Sequence, residues 1–318
     1  MPEQQNVLAP LTESALFLTL TIRQGGETTT RELLPELAGM IRSVGFPLPD
    51  EALTCVVGIG SEAWDRLFTG PRPERLHPFR EVIGPRHRAP ATPGDLFLHL
   101  RAKRLYPCFE LARRVVGCLG DAVSVADEVA GFRYFDRRDL LGFVDGTENP
   151  TGDAADAAIL VRDDPRFSGG SYLVVQKYVH DLDRWSAMPV EERELAVGRR
   201  MLDDIELPDE VKPADSHVAL TTIEDGDGTE RKILRDNMPF GSIAHGEYGT
   251  YFAGYTADPG VIEEMLSRMF LGDPPARSDR ILEVSTAVTG GLFFVPALDF
   301  LADPPPCPAN NGGASHTR

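Results

Sequence analysis

Apolar side chains fall at every second position through residues 15–22, with Leu16, Leu18, Leu20 and Ile22 on one side of an extended chain and Phe17, Thr19 and Thr21 on the other. That period of two predicts a strand. Leu33, Leu37 and Ile41 then recur every four residues, which predicts one face of a helix, and Thr30 stands where a capping residue would. Residues 53–59 are β-branched and read as a short buried strand. After a Pro- and Arg-rich stretch over 71–93, residues 95–100 read as a third strand. Leu105, Phe109, Ala112 and Val116 mark a second helix, and residues 132–135 close the set. The order is βαββαβ, the ferredoxin-like arrangement.

The second half repeats that order without repeating the residues. Residues 171–179 read as a strand, 190–202 as a helix, 217–222 as a short strand and 249–255 as another. Asp258 then caps a helix that has Pro259 at its first position and Ile262, Met265, Leu266 and Met269 on its buried face. Residues 292–295 form the final strand. The predicted fold class is α+β, two ferredoxin-like βαββαβ halves with antiparallel sheets. The predicted domains are 1–140 and 141–300, followed by a flexible tail over 301–318 rich in Pro, Asn, Gly and Ser.

The chain has 318 residues and is 42% hydrophobic, enough to bury a substantial core. Its formal net charge of -17 repels phosphate backbones and anionic headgroups, so neither nucleic acid nor membrane is expected as a partner. The four cysteines, Cys55, Cys108, Cys118 and Cys307, form no C-x-x-C pair and read as reduced, mostly buried residues. Residues 1–10 carry no signal-peptide pattern and no run of about 18 apolar residues occurs, so a cytoplasmic location is expected.

Residues 142–150, GFVDGTENP, place Asp145 and Glu148 among glycines that allow close backbone approach. By residue type alone this is an ordinary Asp-Gly turn. In ILRDNMPFG, residues 233–241, Arg235 and Asn237 stand two apart and would share a face of an extended segment. The seven histidines include no H-E-x-x-H pair and lie near no cysteine that would complete a zinc set; spacing alone does not select His217 among them. Phosphate-loop and serine-hydrolase motifs are absent.

With these segments, Asp215-Ser216-His217-Val218, residues 248–252 (YGTYF) and residues 289–296 (TGGLFFVP), the chain resembles the dye-decolourising peroxidase family, most closely its bacterial B-type branch, over about residues 15–296. The resemblance implies one b-type haem per chain, held mainly by the C-terminal half, with His217 as the axial ligand of the iron. It implies Asp145 as the acid-base group on the peroxide side, with Arg235 as the cation and Asn237 as the amide beside it. Asp279 resembles the acid that accepts from the ligand's Nδ1, the competing reading being a surface ion pair with Arg277 or Arg280. The activity implied is reduction of hydrogen peroxide through a ferryl intermediate, with oxidation of dyes, phenols or Mn(II).

Such chemistry needs a proton taken from peroxide and returned to the departing oxygen, which a carboxylate can shuttle. It also needs a fixed positive charge where negative charge develops. Candidate routes for oxidising equivalents are Trp64, Trp185, Tyr248, Tyr251 and Tyr255, each of which also reads as a core aromatic. Glu148, Glu206 and Glu230 are candidate Mn(II) ligands, set against a solvated surface in a chain with 49 acids. A haem-handling or iron-releasing protein with incidental peroxidase turnover is the alternative; carriage needs only His217 and an apolar pocket, and leaves Asp145, Arg235 and Asn237 without a task. A haem-free interaction module is the third reading. Homo-oligomers are implied, and an encapsulin shell is a further partner implied for some relatives, although residues 302–318 offer no clear apolar tag.

Overall fold

The computed structural model describes residues 2–273 and 277–308. In the first half, β1 (Ser14–Ile22) leads into α1 (Glu27–Leu33) and α2 (Leu37–Gly45), joined by a 3₁₀ turn containing Pro35. Then come β2 (Thr54–Gly60), α3 (Ser61–Leu67), the small hairpin β3 (Val82–Ile83) and β4 (Arg88–Ala89), β5 (Leu96–Ala102), α4 (Leu105–Leu119) and β6 (Val123–Phe132). In the second half, α5 (Asp153–Ile159) precedes β7 (Ser171–His180), followed by α6 (Leu182–Ala187), α7 (Val190–Val197) and α8 (His217–Thr221). β8 (Leu234–Arg235), β9 (Met238–Ser242), β10 (Glu247–Thr256), α9 (Pro259–Leu271), β11 (Ser285–Ala287), β12 (Gly291–Val295) and α10 (Leu298–Ala302) complete the described chain.

The main strands run β6-β1-β5-β2 and then β12-β7-β10-β8, so within each half the fourth strand lies beside the first, the first beside the third and the third beside the second. This is the ferredoxin-like order, twice over. Antiparallel pairing of β2 with β12, Phe293 opposite Gly60, makes the two halves one sheet among the described residues. The sheet curls, because β6 and β9 also meet, with Met238 against Gly131. One apolar cluster fills the enclosed interior with Phe17, Phe97, Tyr251, Tyr255 and Phe293; a larger one lies under the helices.

Several expectations are corrected. Thr30 lies inside α1, where its hydroxyl donates to the Gly26 carbonyl at 2.8 Å, and Gly26 is the capping position. The strand closing the first half is Val123–Phe132, not 132–135; it is an edge strand with most side chains in solvent, so it lacks the apolar alternation that marks the others. Leu105 and Phe109 are exposed, and α4 instead buries Cys108, Leu111, Ala112, Val115 and Leu119. The helix expected over 190–202 stops at Val197, because Gly198 has φ +95° and its missing Cβ leaves room for Ser216 Oγ. The segment expected as a strand over 217–222 is the helix α8, capped by Ser216 Oγ, which accepts from Ala219 N. Five residues are too few for periodicity to separate the two. Cys55 and Cys108 are buried as expected, but Cys118 is exposed and Cys307 partly so. Of the stretch expected to be loose from 301, the part up to Pro306 packs on the first half: Arg31 donates to the Pro304 and Pro305 carbonyls and Thr69 N–H to Pro306. Residues 309–318 lie outside the described residues.

Candidate active site

Between the sheet of the second half and its helices lies a cavity lined by Asp145, His217, Arg235 and Asn237. Its apolar wall comes from Phe252 of β10 and from Ile262, Met265, Leu266 and Met269 of α9. Asp258 holds that helix in place, accepting from Gly260 N–H at 3.0 Å as the sequence predicts.

His217 enters from the helical side. Its Nδ1 lies 2.7 Å from Asp279 Oδ2, and Asp279 is fully buried, its other oxygen accepting from Ile281 N–H at 2.9 Å. A carboxylate there accepts the hydrogen bond from Nδ1–H, which keeps the proton on Nδ1 and leaves the Nε2 lone pair available. The surface ion pair set against this reading belongs elsewhere: Arg280 pairs with Asp215 at 2.7 Å. The cavity holds a second imidazole, His180, but its Nδ1 meets Ser285 Oγ at 2.8 Å and its Nε2 meets Thr250 Oγ1 at 3.0 Å. Burial lowers its pKa to about 4, so it is neutral, and neither nitrogen is free to ligate.

Asp145 sits at the end of a small hairpin. Asp145 N–H donates to the Arg137 carbonyl at 2.9 Å and Phe143 N–H to Asp139 Oδ1 at 3.0 Å, while the Arg138 guanidinium donates to the Gly142 and Met201 carbonyls at 2.7 and 2.6 Å. Asn237 Nδ2 donates to Asp145 Oδ1 at 3.1 Å. Burial raises the Asp145 pKa, against the pull of that bond and of the Arg235 charge. Arg235 is itself lowered by burial and held up by Asp145, Glu230 and Glu148.

Three residues at this site escape sequence reasoning. Asn149, inside the GFVDGTENP motif, clasps the Arg235 peptide like a strand edge: its Nδ2 donates to Arg235 C=O at 2.7 Å and its Oδ1 accepts from Arg235 N–H at 2.8 Å. Asp139 lines the cavity with its pKa raised to about 7 by burial and by the neighbouring Asp145 charge. The third is His180. Asn149 had a signal, its place four residues after Asp145; the other two reach the cavity only through tertiary packing. A smaller cavity is lined by the same Asp145, Arg235 and Asn237 together with Arg133, Tyr134, Arg137 and Arg138.

Glu148, Glu206 and Glu230 gather around cations rather than one another. Glu148 pairs with Arg199 and with Lys232 at 3.0 Å, Glu230 with Lys232 at 2.7 Å, and Glu206 with Arg199 at 3.4 Å and Lys212 at 2.5 Å. No group of three metal-ligating side chains occurs among the described residues. Trp64, Trp185, Tyr251 and Tyr255 are buried and Tyr248 is half-buried.

A large apolar slot with one available imidazole nitrogen, and a carboxyl, a guanidinium and an amide gathered at its sheet side, has the donor set a b-type haem requires. Fold and site together define a haem peroxidase. The chain belongs to the Dyp-type peroxidase family: the family model described as "Dyp-type peroxidase, N-terminal" matches residues 4–133 and that described as "Dyp-type peroxidase, C-terminal" matches residues 136–300. It is 59% identical to the dye-decolorizing peroxidase of Mycobacterium tuberculosis, covering 96% of this chain and 91% of that protein. Its structure is similar to the encapsulated DyP-type peroxidase of Mycobacterium smegmatis, with TM-score 0.95, 58% identity, and 97% of this chain and 100% of that one covered. It is also similar to DyPB of Rhodococcus jostii RHA1, with TM-score 0.92, 51% identity, and 94% and 97% covered. Variants of the latter have been solved in complex with heme and with manganese.

Proposed function

We propose that His217 would ligate the iron of a bound haem through Nε2 and that Asp145, Arg235 and Asn237, at the sheet side of the cavity, handle peroxide. The observation that carries this is the single cavity into which all four side chains converge, with His217 locked at Nδ1 by Asp279. Bound haem supplies the redox chemistry that reduces hydrogen peroxide to water, and an organic reductant such as a dye or phenol returns the two electrons. Asp145 takes the peroxide proton on its carboxylate and delivers it to the departing oxygen, which leaves as water. Arg235 stabilises negative charge on that oxygen, in a site whose burial strengthens the interaction. Asn237 keeps the Asp145 carboxyl oriented, and its own Oδ1 is held by Ala253 N–H at 3.3 Å. The smaller arginine-lined cavity is the route we assign to peroxide.

The acids near the site give Mn(II) a weaker footing than organic reductants, since manganese at Glu148 would have to displace Arg199 and Lys232. A homo-oligomeric, shell-enclosed, cytoplasmic state is proposed from the encapsulated Mycobacterium smegmatis neighbour; co-expression with a shell protein and sedimentation of the product tests it.

The roles are tested by rapid mixing of haem-loaded protein with one equivalent of hydrogen peroxide. Loss of Asp145 or Arg235 by substitution with alanine should slow the spectral change on peroxide addition and leave haem bound, whereas His217→Ala should impair haem binding. A wild-type rate in Arg235→Ala would remove Arg235 from the mechanism.

A further inference from the structure

The face of the sheet turned away from the cavity holds a charged cluster that the proposed mechanism does not use. Side chains of β10 alternate, with Thr250 and Phe252 on the cavity and Tyr251, Ala253 and Tyr255 in the enclosed interior. The neighbouring segment alternates in step: Arg235 and Asn237 reach the cavity, and Asp236 between them is 1% exposed on the far side. There Asp236 Oδ2 accepts from Arg101 Nη1 of β5, and Arg101 Nη2 donates to the Asn6 carbonyl. His99 of β5 lies 3.8 Å from the same carboxylate oxygen, and its Nδ1 meets the Tyr255 hydroxyl at 2.9 Å. The cluster thus ties the second half to the first directly behind Arg235 and Asn237.

A buried pair such as Asp236–Arg101 is a weak source of stability. Asp236 Oδ1, Arg101 Nε and His99 Nε2 have no hydrogen-bond partner among the described residues, and a buried ion pair so incompletely satisfied is commonly less stable than apolar side chains of the same volume. The pair sits at a segment where the ladder is thin. Arg235 pairs with Gly254 and Met238 with Tyr251, so residues 236 and 237 bridge the gap between β8 and β9. In that gap Asp236 N–H donates to the Ala253 carbonyl at 2.9 Å, but Ala253 N–H goes to the side chain of Asn237, the same amide that orients Asp145.

We propose that the buried Asp236–Arg101 pair is a positioning device that pins residues 235–237 to the first half and so sets where Arg235 and Asn237 stand relative to Asp145. This rests on the reading of Arg235 and Asn237 as peroxide-handling residues. Asp236 and Arg101 touch neither peroxide nor haem in this account; they act through their neighbours.

The test compares Asp236→Asn, the double variant Arg101→Met/Asp236→Leu and Arg235→Ala with wild type. Three readouts are taken: the rate of reaction of the haem-loaded protein with hydrogen peroxide, its cyanide dissociation constant in the ferric form, and the thermal midpoint of the haem-free protein. Asp236→Asn keeps the volume and loses the charge; it should slow the peroxide reaction about 10- to 100-fold, as small misplacements of reacting groups do, and weaken cyanide binding. The double variant removes both charges and should regain the thermal midpoint while the peroxide rate and cyanide affinity stay low. Recovery of rate and affinity together with stability in the double variant would overturn the proposal, as would a wild-type rate and affinity in Asp236→Asn, the isosteric variant that decides the matter should the double variant not fold. Arg235→Ala separates the two levels: a wild-type rate there defeats the reading of the site itself, whereas a slow Arg235→Ala beside a fast Asp236→Asn defeats only the positioning role.

Discussion

Two carboxyls six positions apart, Asp139 and Asp145, are both raised in pKa by burial and should report pH in different observables. A group that must take a proton and then return it works best near its own pKa. Burial raises the Asp145 pKa above the ordinary carboxylate value, so the acid limb of the pH–rate profile for dye oxidation should lie above that value and should disappear in Asp145→Asn; an unchanged acid limb in Asp145→Asn would contradict the assignment. Asp139 affects stability instead. Its pKa rises from 3.8 unfolded to about 7 folded, so between those values the folded state holds the extra proton and stability declines as pH increases. Urea unfolding of haem-free protein should show that decline, about 4 kcal/mol in all, and Asp139→Asn should flatten it. On the ligand side, the Asp279 carboxylate bonded to His217 Nδ1 makes the imidazole a stronger electron donor. Asp279→Asn should therefore raise the haem reduction potential in a spectroelectrochemical titration, and an unchanged potential would assign the effect elsewhere.

At the scale of elements, the cavity depends on α9 being held against the sheet. Asp258 caps it, and Pro259 follows at the first position, where its missing N–H is no loss. Removing the cap with Asp258→Ala should lower unfolding free energy by about 1 kcal/mol. The same side chain pairs with Arg231 at 2.7 Å, so the double variant with Arg231→Met separates the cap from the ion pair. The short α8 illustrates what local pattern misses: His217 opens a helix whose Thr221 and Thr222 hydroxyls donate back to the His217 and Val218 carbonyls at 2.8 and 2.9 Å. β-branched residues favour a strand by propensity, and here the Ser216 cap and those local bonds overrule it.

Across the whole molecule, one curled sheet separates two compartments: a cavity shaped for a cofactor and an interior packed with aromatic rings, among them Phe17 stacked on Tyr251 at 4.2 Å. The cavity wall is largely apolar, so a cofactor seated there gains contacts with Phe252 and with the α9 side chains. Haem binding should accordingly stabilise the fold, by about 3 kcal/mol at a free concentration a hundredfold above its dissociation constant. Differential scanning calorimetry with and without haem measures this, and the shift should shrink in His217→Ala.

The sequence by itself placed β1, β2, β5, β7, β10, α9 and β12, because each carries a run of apolar residues or, in α9, an apolar face; the second strand of the second half, Leu234–Arg235, was not among them. The i, i+2 spacing of Arg235 and Asn237 likewise foretold a shared face. The edge strand β6 and the helix α8 were not legible, one because its side chains are mostly in solvent and the other because five residues hold no period. Only the tertiary structure decided which histidine is available, since that turns on partners 62 and 70 positions away: Asp279 leaves Nε2 of His217 free, and Thr250 occupies Nε2 of His180. The same holds for Asp236, whose charge is meaningful only against Arg101, 135 positions earlier. Periodicity reports burial, which is a local average; ligation and positioning depend on single contacts between residues distant in sequence, and those exist only in the folded chain.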